Sequence, residues 1–491
     1  MQGKTLLSIM TPDRRSIAAF RFLLGLGLVF DLSNRLANAP YFYGEQGLLP
    51  RALWERYYGD RAYYWTLHFF NQEWLFTAVV ALQIGLALCL LLGYRVRLAS
   101  ALGWVLMLSL VLRNPLLFYG GDKLAPLLLL LSAFLPATSK VKWTAARRTP
   151  LLFHLSYVAL LVQTAVLYVV SGESKLSSRY WQEGSALNNV LEMNLLVLPL
   201  GSWFGQFDPL LHLMSLGVPW AEIILPLLFF VPFWGGRVRM LAVLGLLGLN
   251  LGIFLMLDVG YFMFYASACL VGLLPSVFWA DLGRGGRYLN SRLGLGWTLP
   301  RGWLRKTEPS DTKASSPHLL SRLGAGVASA LLLALLGVTL ATGLESMKLV
   351  KLSYPPGSWT AIRGINAYQN WGLFTNPGTT ATWYVSKANL VDGRWVDLLQ
   401  EGEGVAWDYQ GSPNALYKRN SKWRLAMAKI NSFDDKQALL QAFGDALTAR
   451  WEARQGDDKA VQNLTIYRLS QRLPIDAAQD PDWSEWLVWS Q

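Results

Sequence analysis

The chain has 491 residues, of which 53% are hydrophobic and only 15% charged, a balance that excludes an ordinary water-soluble protein of mixed composition. Its formal net charge is +12, but the basic residues sit in short clusters between apolar segments rather than along one polar face. That pattern argues against a nucleic-acid partner and for a lipid bilayer.

The first fifteen residues are polar and basic, and the apolar stretch over 17–36 lacks a small-residue cleavage pattern. It therefore reads as a retained signal anchor. Crossing hydrocarbon takes about 20 mostly apolar residues. Further spans fall near 74–92, 98–118, 122–137, 151–171, 208–233, 239–257, 260–279 and 323–344, the fourth having a short apolar core. The expected fold is an all-α polytopic bundle of about nine transmembrane helices over residues 1–345, followed by a small exported α+β domain over 346–491. Cys89 and Cys269 both lie inside apolar runs, where neither is placed to form a disulfide in that domain.

Threading the spans from an inside N-terminus puts Lys4, Arg14 and Arg15 in the cytoplasm, then Arg95 and Arg97, then Lys140, Lys142, Arg147 and Arg148, then Arg237 and Arg239. The basic stretch from Arg284 to Arg322 follows. Roughly nineteen Lys/Arg fall inside against about six in the outer loops, the bias of the positive-inside rule. Residues 280–322 are rich in Gly, Ser, Pro and Arg and read as a flexible cytoplasmic linker over an anionic leaflet.

Beyond the last span the pattern becomes that of a soluble domain. TATWYVSKANLVDGRWVDLL reads as two strands joined at Asp392-Gly393, residues 433–454 have apolar positions at helical spacing, and VQNLTIYRLS reads as a strand. Tyr368, Trp371 and Phe374 stand at i, i+3, i+6, the spacing of an aromatic helix stripe suited to packing on the outer loops of the bundle.

Walker A, GxSxG and strand-linked GxGxxG motifs are missing, and His68, His154, His212 and His318 lack metal-ligand spacing. Neither ATP-driven transport nor metal-dependent hydrolysis is indicated. What remains is a set of polar groups in or beside spans, where they are costly unless paired or hydrated. Asp31 and Arg35 lie four apart on the first span and read as a structural ion pair. Arg113 and Asn114 interrupt the third span, and Asp122, after Gly120-Gly121, is placed to pair with Arg113 across the turn. Supporting the fold and lining a cavity are both open to these residues. Glu222 and Asn250 are expected to face the bundle interior.

Lys175 follows the fifth span in YVVSGESKLSSRYWQEGSAL, just before a Trp-rich turn. Desolvation there can leave an amine neutral and so furnish a base, provided that no carboxylate holds its charge; Asp122 and Glu173 are the local candidates to do so. The alternative is an interface lysine with its amine in water.

Four segments in order, FDLSNRL with YFYGEQGLLP, RNPLLFYGGDKL, SGESKLSSRYWQEGSAL and YQNWGLFTNP, give the chain a resemblance to the HTTM (horizontally transferred transmembrane) superfamily, which includes the vitamin K-dependent gamma-carboxylases. The resemblance covers most of the chain. It implies a membrane enzyme with a lipophilic, reduced quinone-like cosubstrate, and Lys175 in the G-x-x-K-L…W-x-E-G pattern as the catalytic base, with Trp181, Glu183 and Gly184 matching. One extra residue lies between Lys175 and Trp181. Where carboxylases carry histidines, this chain has the GGDK turn with Asp122 and, in the seventh span, Asn250. The supporting imidazoles are thus absent, while the proton-abstracting lysine is retained. Cavity-lining or supporting roles fall to Asp122, Arg113, Asn114, Trp181, Glu183 and Asn250; no metal is implied. Bacterial HTTM relatives imply an inner-membrane location and a second function class, a non-catalytic factor that helps mature or export a secreted peptide or protein. A secondary transporter is disfavoured, because no internal symmetry or pair of matching interrupted spans is visible.

Overall fold

The computed structural model describes residues 12–137 except 71, 151–293 except 194, 195 and 233, then 319–402, 405, 407, 416–455, 460–473 and 481–490. Helices stand at all the expected span positions. They are α1 (Arg14–Ala37), α2 (Glu73–Leu91), α3 (Val96–Arg113), α4 (Gly120–Phe134), α5 (Leu151–Leu176), α6 (Asp208–Leu227), α7 (Arg237–Met256), α8 (Phe262–Gly272), α9 (Ser276–Leu293) and α10 (Leu319–Ser346).

Seven of them, α1, α2, α3, α5, α6, α7 and α10, are long and apolar enough to cross a membrane. The fourth and eighth positions differ from the expectation. Helix α4 has 15 residues, about 22 Å of rise against roughly 30 Å of hydrocarbon, and most of it is buried in protein. Helix α8 has 11 residues and is followed, after Pro275, by α9 at an angle of 96°. The chain expected as a flexible linker from 280 therefore begins as helix. Residues 294–318, and the cluster Lys140, Lys142, Arg147 and Arg148, lie outside the described residues.

Local sequence explains several of these boundaries. The Asp13 carboxylate accepts the Arg15 backbone N–H at 2.8 Å and caps α1, satisfying one of the donors that a helix start leaves free. Between α2 and α3 the chain reverses through Gly93 at φ +73° and Arg95 at φ +40°. Helix α1 packs against α2 and α8, α3 against α4, and α5 against α6 and α10. Gly25 permits the first contact, because a Cβ there would come within 2.8 Å of the Ala87 carbonyl oxygen. Small residues at such crossings let backbones approach where no hydrophobic force between helices operates.

The C-terminal part is α+β, as its pattern predicts. Strands β1 (Thr380–Leu390), β2 (Trp395–Asp397), β3 (Val461–Arg472) and β4 (Asp482–Ser490) form an antiparallel sheet in the order β2-β1-β3-β4. The hairpin turns where expected, with Gly393 at φ +82° and Asn389 opposite Trp395. Helices α11 (Ser421–Ile430) and α12 (Gln437–Gln455) complete the unit. An aromatic ladder crosses from bundle to sheet: Phe42 meets Trp423 at 5.5 Å, Trp423 meets Phe443 at 5.7 Å, and Phe443 meets Trp486 at 5.2 Å between ring centroids. Each step is an offset or edge contact of the kind aromatic pairs prefer.

The segment 368–377 contacts the end of the bundle that carries the α3–α4 turn, yet it is not helical. Trp371 is buried there, Lys123 Nζ donates to the Asn370 carbonyl at 2.8 Å, and Trp181 Nε1 donates to the Phe374 carbonyl at 2.9 Å. The helical spacing of its rings therefore has no helix behind it. Their backbone is tied down by the bundle's own side chains instead.

A buried charge cluster fixes the same interface. Arg35 Nε pairs with Asp31 at 3.0 Å, as the i, i+4 spacing predicts, and its Nη2 reaches Asp122. Lys422 of α11 donates to Asp122 at 2.8 Å and to the Leu117 carbonyl at 3.3 Å. The expected Arg113–Asp122 pair is not formed. Arg113 instead donates to the Leu49 and Tyr43 carbonyls, both at 2.8 Å, because these lie in the segment between α1 and α2 folded beneath it. Removing one member of a buried pair leaves an uncompensated charge, at a cost of about 3–5 kcal/mol. Lys422→Met and Asp122→Asn should each lower the thermal unfolding temperature of the detergent-solubilised protein, and the double variant should regain much of the loss.

Candidate functional site

Helix α5 runs past the sequence-expected end of the fifth span and carries Lys175 into its last turn. This puts Lys175 one turn after Ser171, on the same face. Its Nζ donates to Ser171 Oγ and to Glu222 Oε2, each at 2.6 Å. Glu222 comes from α6, and both side chains are almost fully buried. Gly172 allows the meeting: a Cβ there would lie 2.7 Å from the Pro219 carbonyl oxygen and 3.0 Å from the Glu222 Cβ.

The pair lines a cavity of about 390 Å³ whose walls are otherwise mainly apolar. One side is the turn between α3 and α4, through Tyr119 and Gly120, and another is α7, through Asn250 and Met256. The C-terminal domain supplies further wall through Leu373, Phe374 and Arg424. Arg424 is held by the Asp258 carbonyl oxygen at 2.9 Å, just beyond the end of α7. Size, apolar lining and a few converging polar groups are the usual features of a small-molecule site.

The sequence-nominated residues divide into two groups. Trp181 lies in the cavity wall, its ring 5.5 Å from Lys175 Nζ. Asn250 lines the cavity too, accepting from the Tyr168 hydroxyl at 3.0 Å and donating to Ser267 Oγ at 3.4 Å. Glu183, by contrast, is exposed and pairs with Arg179 at 2.8 Å. Its neighbour Gly184 has φ +74°, and a Cβ there would overlap the His212 ring. In this turn the glycine lets the chain pack against His212, and the acid does not reach the cavity.

None of Asp122, Arg113 and Asn114 lines this cavity. Asp122 belongs to the charge cluster, and Arg113 at the end of α3 holds the segment between α1 and α2. Asn114 donates to the Phe42 carbonyl at 2.5 Å and accepts from the Leu116 backbone N–H at 3.2 Å, capping the short 3-10 turn Pro115–Leu117.

Neither Asp122 nor Glu173 is the carboxylate on Lys175. Glu222 is, and the sequence reading recognised only that it faces inward. The expectation of an amine without a carboxylate neighbour is thereby overturned. Spacing offers no signal for the pair, since the two residues lie 47 positions apart on different helices. Among the described residues no group of His, Cys, Asp or Glu is arranged to hold a metal ion. No family model, curated protein or solved structure matches this chain.

Lys175→Met leaves Glu222 buried without a cation and should lower the thermal unfolding temperature in detergent. Lys175→Met with Glu222→Gln should recover most of it, because a neutral amide is far cheaper to bury than a carboxylate. Equal stability of the wild type and the single variant would show that the pair is hydrated.

Proposed function

We propose that this chain is a membrane enzyme of the HTTM class that binds a lipophilic hydroquinone in the cavity and takes a proton from it with the Lys175–Glu222 pair. The observation that carries this reading is the position of the pair, an amine and a carboxylate 2.6 Å apart in the wall of a mainly apolar cavity among membrane-type helices. The G-x-x-K-L…W-x-E-G resemblance names the same lysine.

A carboxylate beside the amine is compatible with this chemistry. As an ion pair the two groups together can still accept one proton. Lys175 passes a proton to Glu222 along their hydrogen bond, and the freed amine then takes the hydroxyl proton of the substrate. The pair ends with one positive charge and the substrate with one negative charge, so the total is unchanged. Ammonium and oxyanion are then neighbours in a water-poor site, where their attraction is strong. Ser171 Oγ orients the amine throughout by accepting from it. Glutamate carboxylation is not part of the proposal, because Asp122 and Asn250 stand where imidazoles are expected and both are committed to other partners.

In this reading the protein lies in a bacterial inner membrane with a cytoplasmic N-terminus and an exported C-terminal domain, α4 and α8 counting as short crossings among nine. Two contacts support the arrangement. Trp279 of α9 donates to Ser16 Oγ at 2.8 Å, which brings the basic start of α1 and the start of α9 to one side. The C-terminal domain grips α1 at its other end, through Arg35, Asp122 and Lys422. A cytoplasm-only reporter fused after residue 345 should be silent, and alkaline phosphatase fused there should be active. The reverse result would invert the topology.

The chemistry is tested without knowing the final product. A prenylated naphthohydroquinone monomethyl ether keeps one acidic hydroxyl and resists oxidation. Bound to the protein in nanodiscs, it should show the absorbance of its anion near neutral pH. Lys175→Met, Lys175→Arg and Glu222→Gln should keep binding and lose that band. An unchanged band would end the base reading, and absence of binding would favour the non-catalytic factor for peptide maturation or export.

A further inference from the structure

A second cavity, of about 570 Å³, lies at the outer end of the bundle beneath the C-terminal domain, and its lining is unlike that of the first. Four basic side chains line it, Arg61, Lys123, Arg363 and Lys429, and no Asp or Glu among the described residues does. They come from four separate places: the loop after the helix Arg51–Tyr58, the first turn of α4, the helix Ser358–Gly364 and the last turn of α11.

None of the four belongs to an ion pair found among the described residues. Lys123 is the most buried of them, and its Nζ reaches only the Asn370 carbonyl and the faces of Trp371 and Tyr368, at 4.6 and 5.6 Å. Arg363 rests on the rings of Trp359 at 5.0 Å and Tyr63 at 5.3 Å. These aromatic faces orient the cations without neutralising them. Asn366 and Ser432 add neutral polar groups to the lining.

We infer that this cavity binds a phosphate-class oxyanion through Arg61, Lys123, Arg363 and Lys429. Like charges gathered in one concave, partly desolvated space repel one another and create a field that concentrates anions. A monocarboxylate would answer one of the four charges, whereas a phosphate dianion or a diphosphate answers two or more. Such a ligand also offers enough acceptor oxygens to engage donors arriving from several directions.

The two cavities share Tyr119, Gly120, Gly372 and Leu373 as walls. Gly120 keeps that partition thin, since a Cβ there would come within 3.2 Å of the Phe262 ring and 3.3 Å of Leu373. The oxyanion site therefore adjoins the Lys175 cavity from the C-terminal domain side. Its existence does not depend on proton abstraction by Lys175.

The test uses the full chain in phosphatidylcholine nanodiscs, titrated with inorganic pyrophosphate by calorimetry. Saturable binding is expected, weakened about tenfold or more by Lys429→Gln and by Arg363→Gln. Lys429 is exposed and makes no ring contact, so its variant should fold normally even if loss of Arg363 loosens the aromatic cluster. A second arm replaces part of the lipid with phosphatidylglycerol at constant ionic strength. Weaker pyrophosphate binding there would identify a lipid phosphate as the occupant, and unchanged binding would assign the site to a soluble phosphate compound. Non-saturable binding, equal binding by the wild type and both variants, or tighter binding of glutarate than of pyrophosphate would each overturn the inference.

Discussion

Four charges that almost never meet water hold this molecule in register. Asp31 and Arg35 of α1, Asp122 at the start of α4 and Lys422 of α11 are all 1% exposed or less, and together they are electrically neutral. Each would cost several kcal/mol to bury alone, so the cluster is stable only with all members in contact. That condition sets how α1 is rotated, where α4 starts, and how the C-terminal domain sits on the bundle. The hydroxyls of Tyr43 and Tyr265 complete it by bonding to Arg35 and Asp31 at 2.8 and 3.3 Å.

Both cavities follow from that docking. Helix α4 starts inside the protein, which leaves the turn through Tyr119 and Gly120 free to divide one space from the other. Lys422 Nζ lies 4.2 Å from the Tyr119 ring centroid, so the partition is supported by the same lysine that closes the charge cluster. Residues 372–374 descend from the C-terminal domain to finish the walls of the first cavity. On this geometry the C-terminal α+β part is a roof over the polar sites.

The Lys175–Glu222 pair obeys the same economy on a smaller scale. It is nearly sealed, internally neutral and positioned by a glycine at a helix crossing. What distinguishes it from the larger cluster is its setting. Asp122 is enclosed by its partners Arg35 and Lys422, whereas Lys175 and Glu222 both border open cavity space. A charge pair at a cavity wall can exchange a proton with a ligand; one locked between helices and a capping domain serves the fold.

By itself the sequence determined the features that depend on local composition. Apolar length marked the helix positions, Asp392-Gly393 marked the hairpin, and i, i+4 spacing marked Asp31 and Arg35. It marked α4 and α8 as spans without their shortness, because apolar composition does not separate a short helix buried in protein from one that crosses lipid. It read a helix stripe in Tyr368, Trp371 and Phe374 because periodicity cannot register that Lys123 and Trp181 bind the backbone there. Tertiary structure alone decided the partners: Glu222 for Lys175 across 47 residues and Lys422 for Asp122 across 300. Such pairs depend on helix rotation and on close approach at positions such as Gly172, quantities that involve two segments at once and leave no period in either.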